Sequence, residues 1–132
     1  MRLEGLAAGT AVLAGGWRIE RGVIDFLPLL GRLADGIAPA DGAALFHGTL
    51  IAGLFEWVAA AARAHDLDKV ALSGGCFLNK VLTEGLAAGL RARGIEPLIA
   101  RAVPPNDGGL SLGQAYVAAT ALAAGRIRTG VA

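Results

Sequence analysis

Sulfur and imidazole are scarce in this 132-residue chain. A single cysteine, Cys76, excludes an internal disulfide, and two histidines, His47 and His65, are too few for a zinc cage built from this chain alone. Neither sign of charge dominates. Twelve Lys and Arg against eleven Asp and Glu leave a net charge of +1, which provides no electrostatic footprint for nucleic acid or for an acidic lipid surface. An export signal is also missing, because Glu4 follows Arg2 closely and no long apolar stretch with a small-residue cleavage site comes after it. These absences lead to the expectation of a cytoplasmic globular domain in a reducing compartment, with no nucleic-acid or membrane partner.

Apolar residues are abundant instead, at 55% of the chain, alongside 20 glycines. The best candidate for a membrane span, Ala43 to Ala62, is interrupted by His47, Thr49 and Glu56. An ionisable group near the bilayer centre costs on the order of 3 kcal/mol, so the segment reads as a helix buried between layers of a globular fold.

The hydrophobic pattern predicts a helix over Leu3–Leu13 that begins in mid-pattern, so residues 1–14 read as a truncated helix ending at Gly15-Gly16. Trp17–Glu20 and Val23–Phe26 flank Arg21-Gly22 and predict a hairpin. Pro28 opens a helix to about Ala34, and Asp41 is the expected N-cap of the long helix that follows, to about His65. Lys69–Leu72 reads as a buried strand, Phe77–Arg93 as a helix closed by Gly94, and Ile95–Ala100 as a returning parallel strand with Pro97 near an edge. Leu78, Leu82, Leu86 and Leu90 are expected on one face of that helix. A last helix covers about Leu110–Ala124, and residues 126–132 form a polar tail expected to be flexible. The order strand, helix, strand, helix places a layered α/β unit in the second half, with ligands expected beyond the carboxyl ends of the parallel strands.

Two loops lie there. Ser73-Gly74-Gly75 ends a strand and opens a helix, where backbone amides and the positive helix end can face a phosphate, although a plain strand-to-helix turn explains it as well. It has neither P-loop nor dinucleotide-fingerprint spacing. Asn79 and Lys80 fall in the expected first helical turn, close enough to help hold a ribose or phosphate. Asn106-Asp107-Gly108-Gly109 follows two stiffening prolines, and Asp107 suits either a metal ligand or a cap of the last helix. Cys76 reads as a buried unreactive thiol, Ser73 lacks a nucleophile-elbow motif, and His65 reads as a solvated helix end. His47 is either a satisfied core histidine or a group facing substrate.

The stretches Leu72–Asn79 and Val103–Ala115 together resemble the C-terminal end of the HypF family of hydrogenase-maturation carbamoyltransferases. Phe46-His47-Gly48-Thr49-Leu50 is similar to an F-H-x-T-L segment of that family, and Met1–Glu4 to the end of one of its helices. The resemblance covers essentially all of this chain and a small part of the family's length, so residues 1–132 read as a single partial domain. It implies the second ribonuclease-H-like lobe of an actin, Hsp70 and sugar-kinase type of α/β fold, with a small mixed sheet and flanking helices, related to the tRNA threonylcarbamoyl transferases.

The implied activity is that of a carbamoyltransferase. It takes carbamoyl phosphate and ATP to carbamoyl adenylate, then passes the carbamoyl group to the C-terminal cysteine of a HypE-like acceptor, as the source of the cyanide ligand of nickel-iron hydrogenase. By the same resemblance Gly74 and Gly75 lie against nucleotide phosphates, Asn79 and Asn106 are polar contacts nearby, and Asp107 ligates a divalent metal, iron, zinc or magnesium, shared with a lobe outside this sequence. The family's H-x-x-x-H metal pair, acylphosphatase-like region, zinc-finger region and adenylate-forming domain are not in these 132 residues. The fragment is therefore expected to be inactive alone and to self-associate through exposed apolar surface. Another nucleotide-dependent transferase of the same superfamily and a non-catalytic interaction module are the alternatives.

Overall fold

The structure, a computed structural model, describes residues 2–7 and 9–126. Helix α1 (Arg2–Leu6) is followed by an antiparallel hairpin of β1 (Arg18–Glu20) and β2 (Val23–Asp25), then α2 (Leu27–Ala34) and the long α3 (Pro39–Ala64). The second half alternates β3 (Lys69–Leu72), α4 (Lys80–Ala92), β4 (Glu96–Ile99) and α5 (Leu110–Ala123). Strands β3 and β4 run parallel, with Lys69 opposite Glu96 and Leu72 opposite Ile99. The expected α/β order therefore holds, with two two-stranded sheets among the described residues.

The hairpin closes where its sequence predicts, because Arg21 (φ 52°) and Gly22 (φ 80°) both adopt the positive φ that a tight two-residue turn demands. Its tip is tied to α3 by Trp57 Nε1–H, which donates to the Gly22 carbonyl at 2.7 Å. Asp25 Oδ1 accepts from the Leu27 amide at 2.8 Å, and Pro28 then starts α2 without needing a hydrogen-bond partner. Pro39 does the same for α3, whose N-cap is Ala38, three residues earlier than expected. Asp41 consequently lies inside the first turn, where it complements the helix dipole, and it is not the cap.

Helix α3 carries the fold. Its buried positions are nearly all small: Gly42, Ala43, Gly48, Thr49, Gly53, Ala59 and Ala62, with His47 among them. Small residues let neighbours approach closely. On α4, a Cβ at Gly85 would sit 2.5 Å from Ile51 Cδ1, and one at Gly89 would sit 3.1 Å from Phe55 Cδ2. Leu86, Ala87 and Leu90 of α4 then close a core with Ala59, Ala62, Leu72 and Ile95. Each fully buried leucine there contributes on the order of 2 kcal/mol from burial. Although α3 has the length and hydropathy to cross a membrane, here it is the helix on which α1, α2 and α4 pack.

Three expectations change. The helix expected over residues 1–14 stops at Leu6, and the chain then crosses α3 without helical structure. The Ala11 amide donates to the Ala44 carbonyl at 3.1 Å, and the Leu13 amide donates to Thr49 Oγ1 at 2.9 Å. The local preference of an Ala- and Leu-rich segment yields to these backbone bonds, which are available only because Gly48 has no side chain: a Cβ there would overlap the Ala11 backbone. Helix α4 begins at Lys80, after a 3-10 turn over Gly75–Leu78. Leu78 is therefore out of phase with Leu82, Leu86 and Leu90 and is 55% exposed, and Cys76 on the same turn is exposed and not buried. Of the expected tail, Arg126 is described and residues 127–132 lie outside the described residues.

Gly48→Ala is expected to lower stability by about 2 kcal/mol, as overpacking against backbone does, whereas Gly31→Ala on the open side of α2 should raise it by about 0.5–1 kcal/mol through helix propensity. Urea unfolding of the two variants checks the opposite signs.

Candidate functional site

The carboxyl ends of β3 and β4 each release a glycine-containing loop, and the structure joins the two. The Gly74 amide donates to the Pro105 carbonyl at 2.6 Å, and Ser73 Oγ–H reaches the same oxygen at 3.4 Å. Gly74 sits at φ 108°, a conformation that a side chain would strain, so glycine is what lets β3 turn sharply into its loop. In the second loop Asn106 Oδ1 accepts from the Gly108 amide at 3.0 Å and caps the 3-10 turn over Asp107–Gly109 that leads into α5. Gly109 passes against Pro104, whose carbonyl would lie 2.7 Å from a Cβ there. Both glycines of the N-D-G-G run thus serve a tight turn.

Between the loops and α5 opens a cavity of about 710 Å³, within the size range of small-molecule sites. Gly74, Asn106 and Asp107 line it together with Ser73, Gln114 and the prolines, and its walls are mostly apolar. The structure therefore brings together four of the residues considered in the sequence, Ser73, Gly74, Asn106 and Asp107, and adds Gln114. Asp107 is exposed at the head of its turn, so it does not act as a side-chain cap of α5. Among the described residues no three His, Cys, Asp or Glu side chains cluster closely enough to hold a metal ion. These residues do not amount to a metal centre, and Asp107 offers a single carboxylate.

The others sit elsewhere. Gly75 is exposed and does not line the cavity, and His65 caps the end of α3. Asn79 is 7% exposed and is the N-cap of α4, its Oδ1 accepting from the Leu82 amide at 3.0 Å. His47 is fully buried, and its Nε2 lies 2.8 Å from the Asn79 side-chain nitrogen. Lys80 pairs with Glu84 on the α4 surface at 3.7 Å.

The positive end of α4 is already occupied, which corrects the expectation that it faces a phosphate. Glu4 Oε1, from α1, accepts from the Lys80 amide at 2.6 Å and the Val81 amide at 3.4 Å, and Asn79 takes the Leu82 amide. With the Asn79 amide donating to the Cys76 carbonyl at 3.1 Å, all four amides that a helix leaves unpaired are thus satisfied from within the chain. The Lys80 amide bond, helped by that of Val81 and opposed by desolvation, holds the Glu4 carboxyl below the usual carboxylate range. Sequence reasoning had no means to find this contact, because 76 residues separate the partners.

With this geometry in hand, comparisons with known proteins are specific. The family described as "Carbamoyltransferase, Kae1-like Domain, second subdomain" matches residues 1–114. Carbamoyltransferase HypF of Rhizobium leguminosarum bv. viciae is 51% identical over 116 residues, covering 86% of this chain and 15% of that protein. Carbamoyltransferase HypF2 of Cupriavidus necator is 47% identical over 107 residues, 80% of this chain and 13% of that protein. Among solved structures, full-length HypF in a phosphate- and nucleotide-bound form superposes with a TM-score of 0.79 at 31% identity, over 91% of this chain and 17% of that one. The chain thus spans about a sixth or less of the length of these relatives.

Because the folded-state carboxyl of Glu4 is held low, its contribution to stability is present at neutral pH and lost as pH falls through the folded-state value. Glu4→Gln is expected to melt at a lower temperature than the parent near pH 7, and the gap should close as the pH falls below the lowered folded-state value of the Glu4 carboxyl. Thermal unfolding followed across that range reads both ends.

Proposed function

We propose, since the chain belongs to the carbamoyltransferase HypF family as the second subdomain of its Kae1-like domain, that the cavity between its two loops is this lobe's half of a nucleotide site for ATP-dependent carbamoyl transfer. The observation that carries the reading is the Gly74 amide to Pro105 carbonyl bond of 2.6 Å, which holds both loops on one rim around a cavity of about 710 Å³. The nucleotide-bound form of the HypF superposed above supports it.

In this reading the mostly apolar walls receive the adenine and ribose. Gly74, without a side chain, allows the phosphates close, with Gly75 beside it on the turn, and the capping side chain of Asn106 is a polar contact on the opposite loop. Asn79 acts from behind the turn that it terminates. Water would cleave carbamoyl phosphate to carbamate and phosphate, and the carbamate oxygen would then attack the α-phosphorus of ATP, forming carbamoyl adenylate as pyrophosphate leaves. A thiolate from the C-terminal cysteine of a HypE-like acceptor then attacks the carbamoyl carbon, and AMP leaves. Cys76, exposed and not among the residues lining the cavity, need not take part. Iron, zinc or magnesium, if bound, would take Asp107 as one oxygen ligand, with the remaining ligands from outside this chain. The reaction therefore needs the rest of a HypF polypeptide, the fragment alone is inactive, and its place is the cytoplasm, where hydrogenase maturation takes place.

A second reading, a non-catalytic interaction module, draws on α5. That helix buries none of its residues and exposes Leu112, Tyr116, Val117 and Leu122, an apolar surface that also favours self-association of the fragment.

Titrating the chain with ATP is expected to shift the amide resonances of Gly74, Asn106 and Asp107 in particular. Gly113→Leu should weaken this response several-fold, because Gly113 lines the cavity and has open space beside it. Shifts confined to α5, or none, would turn the assignment toward the interaction module.

A further inference from the structure

His47 is fully buried and makes two hydrogen bonds of opposite sense. Nδ1 lies 2.7 Å from the Ala43 carbonyl and Nε2 lies 2.8 Å from the Asn79 side-chain nitrogen. A carbonyl oxygen only accepts, so Nδ1 carries the proton and Nε2 presents its lone pair to the Asn79 amide N–H. The far end of that amide is set just as firmly: a backbone N–H only donates, so Asn79 Oδ1 must face the Leu82 amide, at 3.0 Å. Flipping the Asn79 amide would break both bonds at once, setting oxygen against the Nε2 lone pair and N–H against N–H.

From Asn79 the bonding continues to the cavity. Its backbone amide donates to the Cys76 carbonyl at 3.1 Å, and its carbonyl accepts from the Thr83 amide at 3.0 Å. Thr83 Oγ1–H donates to the Phe77 carbonyl at 2.9 Å, the Phe77 amide donates to the Gly74 carbonyl at 3.1 Å, and the Gly74 amide donates to Pro105. The turn between β3 and α4 is therefore held at its inner end by one buried amide and at its outer end by the opposite loop.

We propose that His47 is a positioning residue: its Nε2 lone pair selects the orientation of the Asn79 amide and thereby sets the Gly74–Asn79 turn in register with the Asn106–Asp107 loop. The role rests on the nucleotide reading for what is being positioned, but the coupling itself is a property of this chain. An apolar side chain would fill the same space in α3 but would leave the buried Asn79 Nδ2–H without its acceptor. The imidazole is tolerated there because both ring nitrogens are bonded, one of them to the residue that ends the turn.

The test is made on the chain itself, by NMR. A scalar coupling from Asn79 Nδ2 to His47 Nε2 across the hydrogen bond is expected, together with the Nδ1–H tautomer. His47→Gln puts an amide oxygen where Nε2 accepts and should leave the Gly74 and Gly75 amide signals in place. His47→Asn keeps a donor toward Ala43 but removes the acceptor, and should move those two signals while weakening the ATP-induced response about tenfold, as loss of one buried hydrogen bond does. Should that variant fail to fold, Asn79→Ser keeps a side-chain cap for Leu82 but not the bond to His47, and the same shifts are expected. Signals at Gly74 and Gly75 that stay at their parental positions in both His47→Asn and Asn79→Ser, or absence of the coupling, would overturn the proposal. Absence of any ATP response in the parent would strike the nucleotide reading and leave the coupling measurement standing.

Discussion

The close approach of backbones around α3 is the constraint from which the other contacts follow. Leu13 can reach Thr49 only because Gly48 has no Cβ in the way of Ala11. Gly85 and Gly89 let α4 settle on Ile51 and Phe55, and once α4 is seated its leucines close the core over Leu72 and Ile95. A helix that buries mainly glycine and alanine yields little hydrophobic area per residue. It gains instead from the packing of whole elements at short distance, where many weak dispersion contacts add up. The buried polar groups of α3, His47 and Thr49, are where neighbouring segments bind to it by direction as well as by shape.

That arrangement explains why the start of α4 is not the anion site its position suggests. Strand-to-helix turns with glycine often leave free amides at a helix end. Here a carboxylate from α1 and the capping asparagine take them, and both depend on α3 for their place. What remains for a ligand is the surface where the two loops meet, framed by Gly74, Asn106, Asp107 and the flank of α5. The division of labour is physical: the inner end of the turn is fixed by bonds internal to the protein, and only its outer end faces the cavity. Helix α5, apolar along most of its length, buries none of its residues.

Much of this was legible along the chain. The hairpin at Arg21-Gly22, the strands β3 and β4 in parallel, Gly94 after α4 and the loop pair beyond the strands all follow from local rules that involve residues a few positions apart. The grouping of Gly74, Asn106 and Asp107 followed from the rule that ligands gather beyond the carboxyl ends of parallel strands. The resemblance of the two glycine-containing stretches to HypF agrees with the family match. Two causes account for the features that differ from these rules, one long-range and one local. Residues 9–13 are not helical because of Gly48, some 35 positions away. Cys76 and Leu78 are exposed because α4 starts at its asparagine cap and not at Phe77.

The amino-acid order by itself therefore determined which segments are strands and helices in the second half, where the turns fall and which loops share a rim, since each rests on backbone preferences and short-range periodicity. Tertiary structure decided what those preferences leave open. It sent an Ala- and Leu-rich segment across α3 without helical structure, filled the amide end of α4 with Glu4, and brought the Asn79 side chain to His47 Nε2. A hydrogen bond needs its donor and acceptor at a particular distance and angle, and residues far apart in the chain meet that requirement only after the core has brought their elements together.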